Sequence, residues 1–463
     1  MLKYCIIYEK LTLLLYTAAM KQLIFMTLTL LLLIGCGSGG GSESEPEPIP
    51  APVTPSPVVN EKRPTLVIRI AYNDITFQSP VTTWTDKIFG FKEHQLNSYY
   101  KEISMGNFTF DAVQESEGTH NDGIISITLN KNHPDSGASS TIHTDLFQAL
   151  SLADPYIDVS QYDTNANGAI SPDEMLIIFI IAGNEDAHSG STAKLGVWAH
   201  QSCTSILNTP SLDDTKLMGC SVNGNYAMFG ERHGNNDATI GIIAHELGHA
   251  AFNLPDLYDT TEQSAGLGYF ALMSSGMWGF DGLGDLPGNT PIHMCAWSKT
   301  KVNWIEPEVI SNSSDLHVNF YASSSDDFNI VKIPITDTEY FLLENRHNSG
   351  YDRGLEAISF YFNGGLAIWH IDENVINSNM LTNSVNDNVN HKGVDLEEAA
   401  RAVLDYDVAA YGERENLFYQ SNVDSFTPHT SPSSKGYNGS NSNIHVNNIS
   451  EYGTIMSATI SKD

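Results

Sequence analysis

The 463-residue chain has little positive charge: 23 Lys and Arg stand against 55 Asp and Glu, a net charge of −32. Such a balance excludes nucleic acid as a partner, because phosphate would be repelled. Cysteine is scarce. The five present, Cys5, Cys36, Cys203, Cys220 and Cys295, include no pair at zinc-finger spacing. Long apolar runs are lacking beyond one near the N-terminus, so no second membrane segment is expected. There is no internal repeat. There is no Gly-x-Ser-x-Gly and no cysteine in a protease-like nucleophile context, which leaves a serine or cysteine mechanism without support. Charged residues make up only 17% and hydrophobic ones 41%, which fits a chain with a real core rather than a disordered acidic one. The acidity suits solubility in a salty or calcium-containing medium.

The exception at the N-terminus reads as an export signal. Met20-Lys21-Gln22 precedes LIFMTLTLLLLIG, an apolar run of about 13 residues, too short to span a bilayer comfortably but suited to a signal peptide. Met20 opens a complete signal by itself, so it is expected to be the true start. Leu33-Ile34-Gly35-Cys36 resembles the lipobox of bacterial lipoproteins, and Cys36 is the expected lipidation site. GSGGGSESEPEPIPAPVTPSP follows, flexible first and then extended and solvated, and reads as a tether. The expected division is signal peptide 1–35, lipid-anchored linker 36–62, catalytic domain 63–310 and a β-rich C-terminal part 311–463. The expected location is exported: a cell-surface or outer-membrane lipoprotein, with release to the medium open. Cys203 and Cys220 are close enough to bracket one loop, leaving Cys295 unpaired; three buried free thiols are the alternative.

The stretch IGIIAHELGHAAFNLPDLYD, Ile240–Asp259, carries the chemistry. Residues four apart share one face of a helix, so His245 and His249 can both offer imidazole nitrogens to one metal ion. Glu246 projects beside that ion and can take a proton from water there. Ile240, Ile242, Ile243 and Ala244 suit a buried helix. Gly248 and Ala250 are small beside the histidines, and Asn253, Leu254 and Pro255 stop the helix. The third ligand is open among Asp256, just past the helix, and Asp259 and Glu262; Asp256 could instead brace its loop. Met273, 24 residues after His249, resembles the methionine turn beneath zinc in metzincin-like proteases. His200, His233 and His370 read as packed or surface histidines.

HELGHAAFNLPDLYD resembles the signature of the immune inhibitor A family of secreted bacterial metalloproteases. RPTLVIRIAYND (63–74), LNSYYKEISMGNFTF (96–110), ALMSSGMWG (271–279), AWSKTKVNWIEP (296–307), EYFLLENRHNSGYD (339–352) and GGLAIWHIDENV (364–375) resemble that family's segments in the same order. One departure is visible: Phe252-Asn253-Leu254-Pro255-Asp256 is one residue longer than the family's usual run after the second histidine, which bears on the third ligand. The resemblance implies a zinc metalloendopeptidase acting on extracellular proteins or peptides. A catalytically silent surface binding protein on the same fold is the alternative, and an intact Glu246 argues against it.

Asp163 to Glu174, DTNANGAISPDE, fits a calcium loop. Its oxygen ligands fall at Asp163, Asn165, Asn167, the Ala169 carbonyl and a bidentate Glu174, with Gly168 at the sharp turn and Ile170 as core anchor. An apolar strand follows rather than a helix, which makes it a structural clamp rather than a sensor.

Strands are expected at Thr65–Ala71, Ile124–Leu129 and Met175–Ala182, the last central in a sheet. Helices are expected within Phe91–Met105, Ser140–Ala153, Thr239–Asn253 and Pro291–Lys299. After Asp315 short strand-like runs are separated by Asn, Ser, Gly and Asp turns. The expected fold is α/β (α+β): a zincin-type catalytic domain with a mixed sheet and an active-site helix, then a β-rich C-terminal part.

Overall fold

Alternation of apolar side chains along the strands sorts the molecule into layers. In the computed structural model, which describes residues 60–135, 140–189, 194–205 and 209–463, an eight-stranded mixed sheet forms the first half. Its parallel centre is β1 (Glu61–Ala71), β2 (Phe108–Ala112), β3 (Ile124–Thr128), β4 (Leu176–Glu185) and, across β5 (Gly196–Val197), β6 (His200–Ser202) and a small separate hairpin of β7 (Ser211–Leu212) and β8 (Thr215–Lys216), the strand β9 (Tyr226–His233). Both β6 and the short β10 (Asn236–Asp237) pair antiparallel to β9. The strand β4 lies between β1 and β9 and is buried along nearly its whole length, the central position expected of the run at Met175–Ala182.

On one face of this sheet Leu66, Ile68, Ile70, Ile177, Phe179, Ile181, Tyr226 and Met228 pack against Ile142, Leu146 and Leu150 of the helix Ser140–Ala153. The intervening residues Val67, Ile178, Ile180, Ala227 and Phe229 point the other way. They pack on the helices Val81–Phe89, Leu96–Ile103 and Ile240–Phe252. The same core continues into the C-terminal half. There a five-stranded sheet runs β11 (Glu308–Val309), β13 (Val331–Pro334), β14 (Glu339–Arg346), β15 (Gly365–Asp372), β16 (Val394–Leu396), and a three-stranded one runs β12 (Ser313–Tyr321), β18 (Ile455–Lys462), β17 (Ile444–Asn447). Leu342, Trp369 and Ile371 face the helices, while Phe341, Leu343 and Ile368 face Phe320, Val446, Ala458 and Ile460 of the smaller sheet. The helix Ile240–Phe252 is thus enclosed between two sheets, both supplying apolar side chains to one core, and all described residues fall in one compact unit, Pro55–Asp463.

Two helices are shorter than their apolar spacing suggests. Within Phe91–Met105 only Leu96–Ile103 is helical, because the Gln95 side chain accepts the Lys92 N–H at 2.7 Å and holds the preceding residues in a turn. Within Pro291–Lys299 the helix begins at Ala296, since Ile292 and His293 exchange backbone bonds with Gly276 and Leu272 instead. Cys203 and Cys220 form a disulfide, and Cys295 is free and buried. No helix among the described residues is long and apolar enough to cross a membrane. The signal, Cys36 and the tether lie outside the described residues.

Candidate metal centre

The helix that carries the histidines is buried on all sides over Ile240–Gly248. An all-round apolar helix needs partners on every face, which the two flanking sheets provide. Asn253 ends it in the left-handed conformation (φ 52°, ψ 36°), its N–H turning back to the Gly248 and His249 carbonyls, as an asparagine at this position can do without a large steric penalty. The chain then doubles back through Leu254 and Pro255 and returns Asp256 to the helix.

His245 Nδ1 bonds the Leu272 carbonyl at 3.0 Å and His249 Nδ1 bonds the Leu254 carbonyl at 2.6 Å. A carbonyl only accepts, so each Nδ1 carries a proton and each Nε2 is the ring atom left to face a cation. Those two Nε2 atoms are 3.2 Å apart, and each is 3.1 Å from Asp256 Oδ1. Three such atoms crowded together favour a positive charge among them, a proton or a metal ion. Asp256 Oδ1 is buried and has no hydrogen-bond donor, an orphan that the same cation would satisfy. Among the described residues this is the one group of three or more His, Cys, Asp or Glu side chains whose ligand atoms converge within 4.8 Å. The donor set of two imidazoles and one carboxylate fits zinc.

The electrostatics follow from this crowding. Burial opposes a charge on His249, yet Asp256 and Glu246 beside it raise its pKa to about 9. Asp256 is held well below the usual carboxylate range, since the two imidazoles outweigh its burial. Glu246 goes the other way: burial raises its pKa, with the histidines opposing, and its carboxylate accepts the Gln201 backbone N–H. The buried Glu185 at the end of β4 accepts the N–H groups of Gly230, Ala187 and Ala199 at 2.7, 2.9 and 2.9 Å, and is pushed up to about 8, mainly by burial, with Glu246 adding to the rise. Tyr258 donates to Asp256, and its phenol is raised by burial and by that carboxylate.

These side chains open into a cleft of about 410 Å³. Trp198 and Gln201 line one side, Met380, Leu381 and Asn383 another, and Trp198 and Leu381 are exposed at the rim. Beneath the histidines, Met273 is fully buried against Gly248, where an added Cβ would lie 2.4 Å from its Sδ.

His245, Glu246, His249 and Asp256 therefore come together. Asp259 does not join them: it accepts from Thr261, Gln263 and Ser264 and shapes the following turn. Glu262 is exposed. The Asp163–Glu174 loop lies on the other side of the sheet, its Ile170 and Met175 packed in the core opposite the histidine helix. Its oxygens accept loop N–H groups: Asp163 from Asn167 and Gly168, Asn165 from Asn167, Asn167 from Ala169, and Glu174 from Asn165 and Ser171. The residues that sequence reasoning missed are Gln201, Tyr258 and Asn383. Tyr258 sits inside the motif, two residues past Asp256, but nothing local marks Gln201 or Asn383.

No curated protein matches the chain. Among solved structures, wild-type OgpA from Akkermansia muciniphila matches at 14% identity and a TM-score of 0.28, covering 65% of this chain and 76% of that one. Catalytically inactive OgpA in complex with an O-glycopeptide substrate matches at 15% and 0.27, covering 63% and 73%. Likeness at that level carries no argument here. The family model for the catalytic domain of immune inhibitor A peptidase M6 matches residues 68–305, which include the helix, Asp256 and Met273, and so the chain belongs to that family of metallopeptidases.

Proposed function

We propose that this metallopeptidase is a zinc-dependent endopeptidase of zincin type that cleaves extracellular proteins, with His245, His249 and Asp256 as ligands and Glu246 as general base. The observation that carries the reading is the convergence of two Nε2 atoms and an orphaned carboxylate oxygen at 3.1–3.2 Å. When bound, zinc polarises the scissile carbonyl and lowers the pKa of the attacking water. The chain's residues supply the rest. The Leu272 and Leu254 carbonyls fix both imidazoles in the tautomer that ligation needs. Glu246, anchored by the Gln201 N–H and with its proton affinity raised by burial, takes the water's proton and passes it to the leaving amine. His200 and Gln201 of β6, a strand paired with β9 alone among the described strands, line the cleft, which favours an extended internal stretch of substrate over a chain end, and Trp198, Met380 and Leu381 offer it apolar contact.

Three further assignments belong to the same reading. The Asp163–Glu174 loop holds a structural calcium ion. Lipid on Cys36 and the linker to residue 62 tether a catalytic domain (63–310) and its β-rich continuation (311–463) to the cell surface or outer membrane. Extracellular protein or peptide is the substrate.

Casein digestion by wild type and Glu246→Gln, each with zinc analysis, tests the mechanism. The glutamine is nearly isosteric and touches neither histidine bond, so zinc should remain while hydrolysis falls by roughly two to four orders of magnitude. Near-normal hydrolysis would remove Glu246 from the mechanism, and zinc lost along with activity would make it a structural or ligand residue. For the tether, Cys36→Ser should move the protein from the detergent-extracted membrane fraction to the soluble one, or leave it as precursor; equal partitioning of the two forms would defeat the anchor.

A further inference from the structure

The third ligand of the proposed metal site is gripped by a segment from far down the chain. Asn383 Oδ1 accepts the Asp256 backbone N–H at 2.8 Å, and Asn383 Nδ2 donates to Asp256 Oδ2 at 2.5 Å. One amide therefore holds both the backbone and the carboxylate of the same residue. With Oδ2 engaged, Oδ1 is the oxygen left to face the histidines. The contact is the first rung of a short ladder. Asn386 Nδ2 donates to the Leu257 carbonyl at 3.0 Å, and Asp387 accepts from the Thr260 N–H at 2.8 Å and its hydroxyl at 2.7–2.9 Å. Asn383 itself is in the left-handed region (φ 51°), a conformation that asparagine tolerates better than other residues with a Cβ. It lies outside the 68–305 family match and lines the same cleft.

We infer that Asn383 is a positioning residue for the metal site: its side-chain amide fixes the rotamer of Asp256, so that the C-terminal half of the chain completes a centre whose other ligands lie on the helix. The inference rests on the zinc reading above. Without Asn383 the carboxylate keeps the Tyr258 bond alone, can turn about it and share its oxygens with water, and the site loses the preorganised third ligand. Loss of such an outer partner typically costs 10–100-fold in metal affinity.

The test uses the full-length chain carrying Glu246→Gln, which cannot digest itself, and reads zinc affinity by chelator competition and metal-free melting by calorimetry. Asn383→Ala should weaken zinc about 10–100-fold while the metal-free melting temperature stays close to the parent's. Asn383→Asp keeps the shape but replaces the donor with a negative oxygen opposite Oδ2; it should weaken zinc at least as much, and it carries the test if the alanine variant does not fold. Asn386→Ala, which touches only backbone groups, should lower melting more than zinc affinity. Unchanged zinc affinity in both Asn383 variants overturns the inference, as does a loss that merely follows a fall in metal-free melting. A parent chain that binds no zinc sinks the metal assignment itself, so the two failures are told apart.

Discussion

Gly248 and Met273 allow a sharp test of how the histidine helix is seated. Replacing a helical glycine by alanine ordinarily stabilises by about 1 kcal/mol. At Gly248 the new Cβ would lie 2.4 Å from Met273 Sδ and 3.1 Å from its Cε, with Met294 Cε at 3.7 Å. Met273 is fully buried and cannot swing into solvent, so the methyl group overpacks the contact at a cost of roughly 1–3 kcal/mol. The net effect of Gly248→Ala is a destabilisation of about 1 kcal/mol. Met273→Ala alone leaves a cavity and costs about 2–5 kcal/mol. In that background the sulfur and terminal methyl are gone, and Gly248→Ala should revert to its ordinary gain of about 1 kcal/mol. The sign of one substitution thus inverts with the other, a coupling of about 2 kcal/mol. Urea unfolding of the four proteins, all carrying Glu246→Gln, reads it directly. Additive effects within about 0.5 kcal/mol would mean that Met273 does not underlie the helix, and the comparison with a methionine turn would lose its basis.

Other perturbations have equally definite outcomes. The Cys203–Cys220 bridge closes a loop with a sequence separation of 17, worth about 3 kcal/mol of chain entropy, so Cys220→Ser should lower melting markedly; identical melts of the bridged and serine forms would refute this. His370 is buried between Glu339 (2.9 Å) and Glu397 (3.0 Å) and stacked on Tyr437 at 4.0 Å. Burial opposes its charge, but the two carboxylates raise its pKa to about 9 from an ordinary 6.5. A raised folded-state pKa contributes stability that is complete below pH 6.5 and is lost as pH rises through about 9, here of the order of 3 kcal/mol. The stability difference between wild type and His370→Gln should therefore shrink between pH 6 and 10, and a constant difference would show that the imidazolium contributes nothing. Calcium should raise the melting temperature of the Glu246→Gln chain through the Asp163–Glu174 loop. Glu174→Ala also removes bonds to Asn165 and Ser171, so the quantity to compare is the calcium-dependent increment, which should largely vanish; no increment in the parent, with no calcium on analysis, would reduce the loop to a turn.

The parts of the fold that were legible are those whose side chains alone decide their state. Leu176–Ala182 has no polar residue and can only be a central strand or a buried helix, and its length selects the strand. The neighbouring β9 was not legible, although it is equally buried, because Glu231, Arg232 and His233 make its second half read as surface. Their main partners do not show in a strand pattern: Glu231 accepts the Gln78 and Ser79 N–H groups from far along the chain, and Arg232 pairs with Asp237 where the chain folds back into β10. The helix Val81–Phe89 escaped notice for a different reason. It has nine residues and only Trp84 and Ile88 are buried, too few to set up a period.

The candidate site divides along the same line. His245, Glu246 and His249 are fixed relative to one another by helix geometry, so four residues of sequence suffice to predict their convergence. The choice among Asp256, Asp259 and Glu262 depends on where the chain turns after the helix, and the left-handed Asn253 decides that. It starts the return that brings Asp256 back within 3.1 Å of both imidazoles, while Asp259 is consumed by its own turn. The one-residue extension at Phe252–Asp256 is accommodated within this return. What holds the returned carboxylate in place is further still from any local pattern. Asn383 reaches it across 127 positions of sequence, and such a contact exists only once both sheets have packed on the same helix. The proposed ligand that is hardest to read from the sequence is therefore the one whose geometry depends most on the whole fold. A metal site built in this way would couple metal affinity to the docking of the C-terminal half, whereas the histidine pair could form in the helix alone.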